Sequence, residues 1–236
     1  MSVESKRTFL PGWAAMILRI VVVVALPLAL VLLNARILMS DAYLQWEYNR
    51  PDFSPDPYGF STQDRLKYAP LALGYLFNSA DISFLGDQTF PDGSPLYSER
   101  ALSHMHDVKL VTQGLTRFGV ALIIVTILCI IVLAISAETR PGLYKALLWG
   151  SILTVVVIIL ALIVTATSFE WLFTEFHHLF FTGNTWLFPT NDTLIRLFPE
   201  QFWLDAFALM FGGAMLEAII LGIVMWRMGR RKPSAA

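Results

Sequence analysis

Four histidines are the residues of this chain best suited to acid–base chemistry or metal binding. His104 and His106 lie shortly before a long apolar run, within the stretch Ser-His-Met-His-Asp-Val-Lys, and His177 and His178 follow the end of another apolar run. Histidine is the side chain whose ordinary pKa lets it exchange protons near neutral pH. Two pairs at the borders of apolar runs therefore predict a site at one level of the protein.

The neighbours of the first pair divide its two members. On a helix, residues three and four apart share a face, whereas His106 points roughly 160–200° away from His104. Asp107 could therefore orient His104 or stabilise its imidazolium form, or it could be a solvated neighbour without a role. Lys109 would either meet an anionic lipid headgroup or extend its ammonium group to water. We expect His104 and His106 to have different roles.

The second pair lies in a short, unusually aromatic segment with helical periodicity. His177 falls on the face that carries Phe173 and Phe181, whereas His178 is rotated by about 100°. Part of the aromatic content is also typical of the belt that forms where a protein meets the membrane surface.

The composition predicts an integral membrane protein. Hydrophobic residues make up 56% of the chain and charged residues only 15%, which exceeds what a soluble core needs. A spanning helix requires about 20 largely apolar residues. Four unbroken stretches qualify, without the alternation of a barrel strand; their predicted bounds are 13–39, 116–136, 144–167 and 202–228. We predict an all-α protein with four transmembrane helices.

Basic residues in the short flanks predict the orientation of these helices. They cluster in or beside residues 1–12, 137–143 and 229–236, which we expect in the cytoplasm together with both termini. Residues 40–115 carry ten acidic and five basic side chains, and residues 168–201 carry four and one. We expect these two acidic connections outside, the longer one as a small, mostly helical extracytoplasmic cap.

Charge, cysteine content and the length of the first span argue against a nucleic-acid-binding protein, stabilising disulfides and a cleaved signal peptide. The net charge of −1 and the lack of a basic patch argue against a nucleic-acid partner. The single cysteine, Cys129, lies within a predicted span, so no disulfide can hold the outer connections. The first span is too long for a signal peptide and has no small-residue cleavage pattern after it, so we expect it to be retained.

Within the cap, three local patterns predict structure. Ser61 and Asp64 have the spacing of a capping box at the start of a helix. Residues 82–90 are typical of a short hairpin. Ser94 as cap and Pro95 in the first turn predict a helix that begins at Pro95 and continues to about Thr112.

Two motifs resemble those of a known family. The pattern His-Met-x-Asp-Val-Lys is met by His104, Met105, Asp107, Val108 and Lys109. A second pattern, Phe-His-x-x-Phe-Phe followed by Trp-x-Phe, Leu-Ile and Phe-Pro, is met by Phe176, His177, Phe180, Phe181, Trp186, Phe188, Leu194, Ile195, Phe198 and Pro199. With its four-span plan, the chain resembles the bacterial membrane family that contains the lipoprotein intramolecular transacylases. His106 and His178 occupy variable positions of these patterns.

The resemblance implies an acyl transfer within one lipid-modified protein. The sn-2 acyl chain of the diacylglyceryl group would move to the α-amino group of the lipoprotein's N-terminal cysteine, which yields the lyso-form lipoprotein. The expected partners are diacylglyceryl-modified lipoproteins and membrane lipid, with no cofactor and no metal. The expected location is the cell membrane, with the active site at the extracytoplasmic face. The family also contains members never assigned this activity.

The resemblance and the helical phase together assign His104 and His177 as the catalytic pair. The supporting residues are Asp107, Lys109, Phe181, Trp186 and Arg36. Attack by an amine on an ester needs a base near the nitrogen, and the tetrahedral intermediate needs a hydrogen-bond donor. Histidines can supply both, and the chain lacks the Gly-x-Ser-x-Gly elbow of serine hydrolases.

Two alternatives come from other classes of protein. Four imidazoles with Asp107 and Glu175 could form a zinc or copper site, although the helical phase turns the histidines of each pair apart. A structural or channel protein would use the charged residues within or near the spans: Arg19, Arg36, Asp205 and Glu217. Arg19 and Arg36 are candidate partners for Glu217, but the sequence does not name its partner.

Overall fold

The computed structural model describes residues 10–230, which are largely helical. In chain order the helices are α1 (Gly12–Leu38), α2 (Asp41–Tyr48), α3 (Thr62–Phe77), α4 (Ser83–Gly86), α5 (Glu99–Ile135), α6 (Arg140–Thr167), α7 (Phe169–Phe180), α8 (Thr193–Leu197) and α9 (Glu200–Arg230). Within the described range the only β-type pairing is an isolated bridge between Thr89 and Pro95. The predicted basic flanks at Lys6, Arg7, Arg231 and Lys232 lie outside the described residues.

Four of these helices, α1, α5, α6 and α9, are long and apolar enough to cross a membrane. Many of their large apolar side chains are exposed, as expected of surfaces that face lipid rather than water. The prediction of an all-α protein with four long apolar helices is confirmed. The chain is a multi-pass membrane protein.

The described residues divide into two compact units. The span unit comprises residues 10–34, 118–161 and 211–230, and the histidine unit comprises residues 35–117 and 162–210. The apolar run of α5 from residue 118 onward belongs to the span unit. All four histidines belong to the histidine unit.

The span unit contains one polar pair among its apolar helices. The amide of Asn34 donates hydrogen bonds to the carboxylate of Glu217 at 2.9 Å and to the carbonyl of Leu30 at 3.0 Å. Gly213 leaves the space for Asn34, since a Cβ there would overlap its side-chain oxygen. The partner of Glu217, which the sequence left open, is therefore Asn34 rather than either arginine candidate. Buried polar groups need hydrogen bonds, and an uncharged amide supplies one here.

The histidine unit has an aromatic core built largely by α2 and α3, with Tyr43, Tyr48, Tyr68 and Tyr75 buried in it. The capping box of α3 is confirmed, because Ser61 Oγ accepts from the backbone N–H of Asp64 while the Asp64 carboxylate accepts from that of Ser61.

Two local predictions in this unit are wrong. Residues 82–90 do not form a hairpin, since Ser83–Gly86 is a single helical turn whose start is held by Asp81. The helix that carries His104 starts at Glu99 rather than Pro95, and Ser98 Oγ accepts from the N–H of Ala101. Hydrogen bonds from Phe90 N–H to Ser94 and from Leu96 N–H to Gln88 keep the preceding residues extended.

Candidate histidine site

Helices α5 and α7 bring one histidine from each pair together. The ring centroids of His104 and His177 are 6.1 Å apart, with their planes inclined by 23°. Both side chains are buried, with 9% and 8% of their surface exposed. His106 and His178 are exposed, since helical phase turns them away from their neighbours.

The tautomer of His177 follows from its hydrogen bond. Its Nδ1 lies 2.6 Å from the carbonyl oxygen of Phe173, and a carbonyl only accepts, so Nδ1 carries the proton. Burial lowers the pKa of His177, although the bond to Phe173 opposes that shift. The neutral ring therefore keeps a lone pair on Nε2, which is the arrangement that a proton acceptor needs.

His104 is held by aromatic rings rather than by hydrogen bonds. The rings of Phe181 and Phe188 lie 5.0 and 5.4 Å from its own, and its Nδ1 is buried without a partner among residues 10–230. His104 precedes the apolar run of α5. Burial, with a smaller contribution from nearby His177, lowers the pKa of His104 to about 4. Both rings of the pair are thus neutral at pH 7.

Aromatic side chains form the walls of the site. The Trp186 indole lies 4.6 Å from the His177 ring, and Phe173 lies 4.2 Å from it on the same helix. Phe181 contacts both histidines, at 5.0 and 5.6 Å. The chain reverses after α7 at Gly183, whose φ of +66° suits glycine, and Trp186 then packs against the helix it has just left. The aromatic face predicted for His177 is present.

The two polar neighbours of His104 in its motif do not contact it. Within the described residues no hydrogen bond or ion pair joins Asp107 to His104, and Asp107 is half-buried. Lys109 is buried, donates to Asn78 Oδ1 at 3.1 Å and to the carbonyl of Ala80 at 2.5 Å, and lies 3.9 Å from the Tyr75 ring centroid. Neither role predicted for Lys109, contact with water or with a lipid headgroup, is seen. Its hydrogen bonds instead connect α5 to the segment that follows α3.

Arg36, the remaining supporting candidate, is exposed at the end of α1. Its guanidinium lies 4.3 Å from the Phe77 ring centroid and donates to the carbonyl of Met39. No hydrogen bond or ring contact joins it to His104 or His177 in the described part of the chain. Its expected place beside the site has no structural support.

The comparisons with known proteins fit this arrangement of helices and histidines. A family model described as "Lipoprotein intramolecular transacylase Lit" matches residues 20–203. The chain belongs to this family. The match contains all four histidines and every predicted supporting residue.

Several proteins resemble the chain over most of its length. An uncharacterized protein of Aquifex aeolicus (strain VF5) is 28% identical over 87% of this chain and 94% of its own. The membrane integral lipoprotein intramolecular transacylase Lit of Bacillus cereus is 22% identical, with a TM-score of 0.77 over 93% of this chain and 97% of that one. A variant of that protein with one histidine changed to arginine has a TM-score of 0.71, at 22% identity over 92% of both chains. These structures share the fold of this Lit family member.

The geometry gives little support to the metal-site alternative for this Lit family member. Among residues 10–230, no group of three or more His, Cys, Asp and Glu side chains is placed to hold a metal ion. His178 lies 3.8 Å from Glu175, and both are exposed. The histidines are brought together as one pair rather than as a set of four.

A cluster of carboxylates in the histidine unit was missed by the sequence analysis. Arg50 lies 3.3 Å from a carboxylate oxygen of Glu47 and 2.9 Å from one of Asp205. Burial, together with nearby Asp205, raises the pKa of Glu47 to about 7. Glu47 and Arg50 have the three-residue spacing of a helical ion pair, which was the available signal. Asp205 joins them only through the fold.

Proposed function

We propose that this protein transfers the sn-2 acyl chain of a diacylglyceryl-modified lipoprotein to the α-amino group of the lipoprotein's N-terminal cysteine. The observation that carries the proposal is the buried pair of neutral imidazoles, with ring centroids 6.1 Å apart, in a chain of the lipoprotein intramolecular transacylase family. The aromatic walls around the pair favour an acyl chain as ligand, since they supply an apolar surface.

In this proposal His177 is the base. An α-amino group with a pKa near 8 is mostly protonated at pH 7, so it first loses one proton to solvent to become a nucleophile. The neutral nitrogen must then lose a second proton as it bonds to the ester carbon. The Nδ1–H of His177 is engaged by the Phe173 carbonyl, so its Nε2 accepts that proton. The same ring then returns the proton to the glycerol oxygen when the C–O bond breaks.

His104 is the hydrogen-bond donor of the pair. A buried N–H without an acceptor costs about 1–3 kcal/mol, and His104 Nδ1 is buried without a partner among residues 10–230. The tautomer with its proton on Nε2 avoids that cost. We assign this Nε2–H to the glycerol oxygen, where it stabilises the charge that develops as the ester bond breaks.

The lipoprotein itself contributes proximity. The amine and the ester belong to one substrate molecule, so the protein mainly has to hold them in register, and well-oriented groups of this kind can contribute about 7–11 kcal/mol to lowering a barrier. No covalent enzyme intermediate and no cofactor is needed for the atoms to balance.

The reaction is tested by expressing the chain in a bacterial host that makes no lyso-form lipoprotein. We expect N-terminal lipoprotein peptides with one N-linked acyl chain and a monoacylglyceryl thioether, detected by mass spectrometry. A His177→Ala variant that inserts at the same level is the matched control and should give none. Only diacylglyceryl peptides from cells with well-expressed wild-type protein would contradict the proposal.

We also propose that residues 40–115 and 168–201 lie outside the cytoplasmic membrane and that both termini lie inside, with spans at 13–39, 116–136, 144–167 and 202–228. The acidic connections and the basic flanks support this orientation, which places the histidine pair on the side where mature lipoproteins are anchored.

Cysteine labelling tests the orientation. In a Cys129→Ala background, Asp92→Cys should react with a membrane-impermeant thiol reagent in intact cells, because Asp92 is exposed. Glu138→Cys, in the exposed link between α5 and α6, should react only after lysis. The opposite pattern would reverse the topology.

A further inference from the structure

The indole of Trp186 carries a buried hydrogen-bond donor that has no partner. Trp186 is 8% exposed, and no atom among residues 10–230 accepts from its Nε1–H. By contrast, Trp203 in the same unit donates its Nε1–H to the carbonyl of Phe198 at 3.1 Å. An indole nitrogen can only donate, and leaving a buried donor unpaired costs about 1–3 kcal/mol.

The position of this donor is fixed beside His177. The indole packs on the imidazole with ring centroids 4.6 Å apart and planes inclined by 31°. Phe173 lies edge-on to the indole at 6.4 Å. Rings packed on two sides have little freedom to rotate, so the N–H is preorganised without an acceptor from the protein.

A tryptophan that served only as an apolar wall would not need its N–H. Phenylalanine would supply an aromatic surface without the cost of the unpaired donor. The rings of His104 and Trp186 lie beside the His177 ring, with centroids 6.1 and 4.6 Å from it, and each carries a buried nitrogen without a partner within the described residues. Unpaired polar groups of this kind are expected where a ligand supplies the missing partner.

We propose that the Nε1–H of Trp186 donates a hydrogen bond to the carbonyl oxygen of the scissile ester and stabilises the oxyanion that forms during acyl transfer. This inference rests on the proposed function. The amine nitrogen bonds to the carbonyl carbon, and the C=O π electrons move to the oxygen that Trp186 contacts. When C=O re-forms, the C–O bond to glycerol breaks. The proton that the nitrogen loses during attack is transferred through His177 to the glycerol oxygen.

The donor favours the transition state over the bound substrate. A neutral ester oxygen is a weak acceptor, whereas an oxyanion in a dry aromatic site is a strong one, so the bond strengthens as charge develops. Loss of the N–H should therefore lower kcat with little change in KM. An apolar wall that only held the acyl chain would raise KM instead.

Two replacements at Trp186 separate the donor from the wall. Trp186→Phe removes the N–H and part of the ring, and Trp186→3-benzothienylalanine keeps the bicyclic shape but puts sulfur in place of N–H. We expect both to lower kcat by roughly 10²–10³-fold, as for loss of an oxyanion donor, with KM changed less than about threefold. The assay is acyl transfer within a synthetic diacylglyceryl lipopeptide by purified protein. Trp171→Phe is the matched control, because that indole is 59% exposed and lies on α7, the helix that carries His177.

The outcomes distinguish the two proposals. Wild-type protein without transfer activity would overturn the proposed function, whatever the variants do. Active wild type, with a benzothienylalanine variant within about threefold of its kcat, would overturn the role of Trp186 alone. If Trp186→Phe loses thermal stability, the isosteric replacement decides, since it keeps the packing on His177.

Discussion

Helices α5 and α7 each carry two histidines and bury one of them, but they hold the buried ring in different ways. His177 is fixed by a hydrogen bond from Nδ1 to the carbonyl of Phe173, four residues earlier on its own helix. His104 has no such partner and is held by the rings of Phe181 and Phe188. The two neighbouring histidines can therefore favour opposite tautomers. His177 has a lone pair at Nε2, whereas His104 has a proton there.

Because of this difference, His104 and His177 can have different roles although the pKa of each is lowered. Burial lowers the pKa of both rings, so neither buried histidine is charged at neutral pH. The hydrogen-bond partner, rather than burial, decides which ring accepts the proton. The following experiments test the contrast between the two helices and between the buried and exposed member of each pair.

Truncation of either buried histidine should have the largest effect. We expect His104→Ala and His177→Ala each to reduce acyl transfer by roughly 10²–10⁴-fold, the range for loss of an acid–base group. Because the two rings act on one proton transfer, the double variant should be little worse than either single variant. Lyso-form peptides in the lipoprotein assay measure the effect. A stably inserted single variant with near wild-type activity would remove that histidine from the mechanism.

Glutamine substitutions should then separate the two roles. A glutamine amide can donate from a position near that of imidazole Nε2 but cannot accept a proton at pH 7. His104→Gln should keep part of the donor function and lose about tenfold in kcat, whereas His177→Gln should lose at least roughly 10²-fold. Single-turnover assays with a synthetic lipopeptide give the ratio. Equal losses, or the reverse order, would contradict the assignment of His177 as the base.

Acid should destabilise the folded protein through the buried pair. The folded-state pKa of His104 is about 4, against 6.5 for an ordinary histidine, so between these values the unfolded chain binds a proton that the folded chain does not. The free energy of unfolding should therefore fall as the pH drops from 6.5 towards 4. Thermal midpoints in detergent should show a shallower fall for His104→Gln than for wild type. His106→Gln is the control and should keep the wild-type slope.

The exposed histidines should matter least. His106 and His178 are exposed, and His178 contacts only Glu175 and the edge of Trp186 among the described residues. We expect His106→Ala and His178→Ala to stay within about twofold of wild-type activity, as for surface changes away from a site. A large loss with either variant would show that helical phase does not select the working histidine.

The divergence of the two histidines within each pair could be predicted from sequence because helical phase determines it. The capping box of α3 is equally local, since Ser61 and Asp64 satisfy each other. The start of α5 could not be predicted so well, because Ser94 and Ser98 are both good caps and a contact with residues 88–90 decides between them.

The directions of the long polar side chains were beyond sequence reasoning for a different reason. Lys109 points to Asn78 and Ala80 because the chain after α3 returns to α5 at that place. The acceptors lie about 30 residues away in sequence, so no local sequence pattern predicts them. For Glu217 the sequence offered two arginines as candidates without naming a partner, and the structure pairs it with the Asn34 amide on α1.

The bond between Asn34 and Glu217 has a consequence for how the protein is made. Its partners stand 183 residues apart, on the first and the last of the four long helices. A chain synthesised from its N-terminus exposes the Asn34 amide before α9 exists, with only the carbonyl of Leu30 to accept from it. A ribosome-bound or truncated chain that lacks α9 thus presents an Asn34 amide without its carboxylate acceptor.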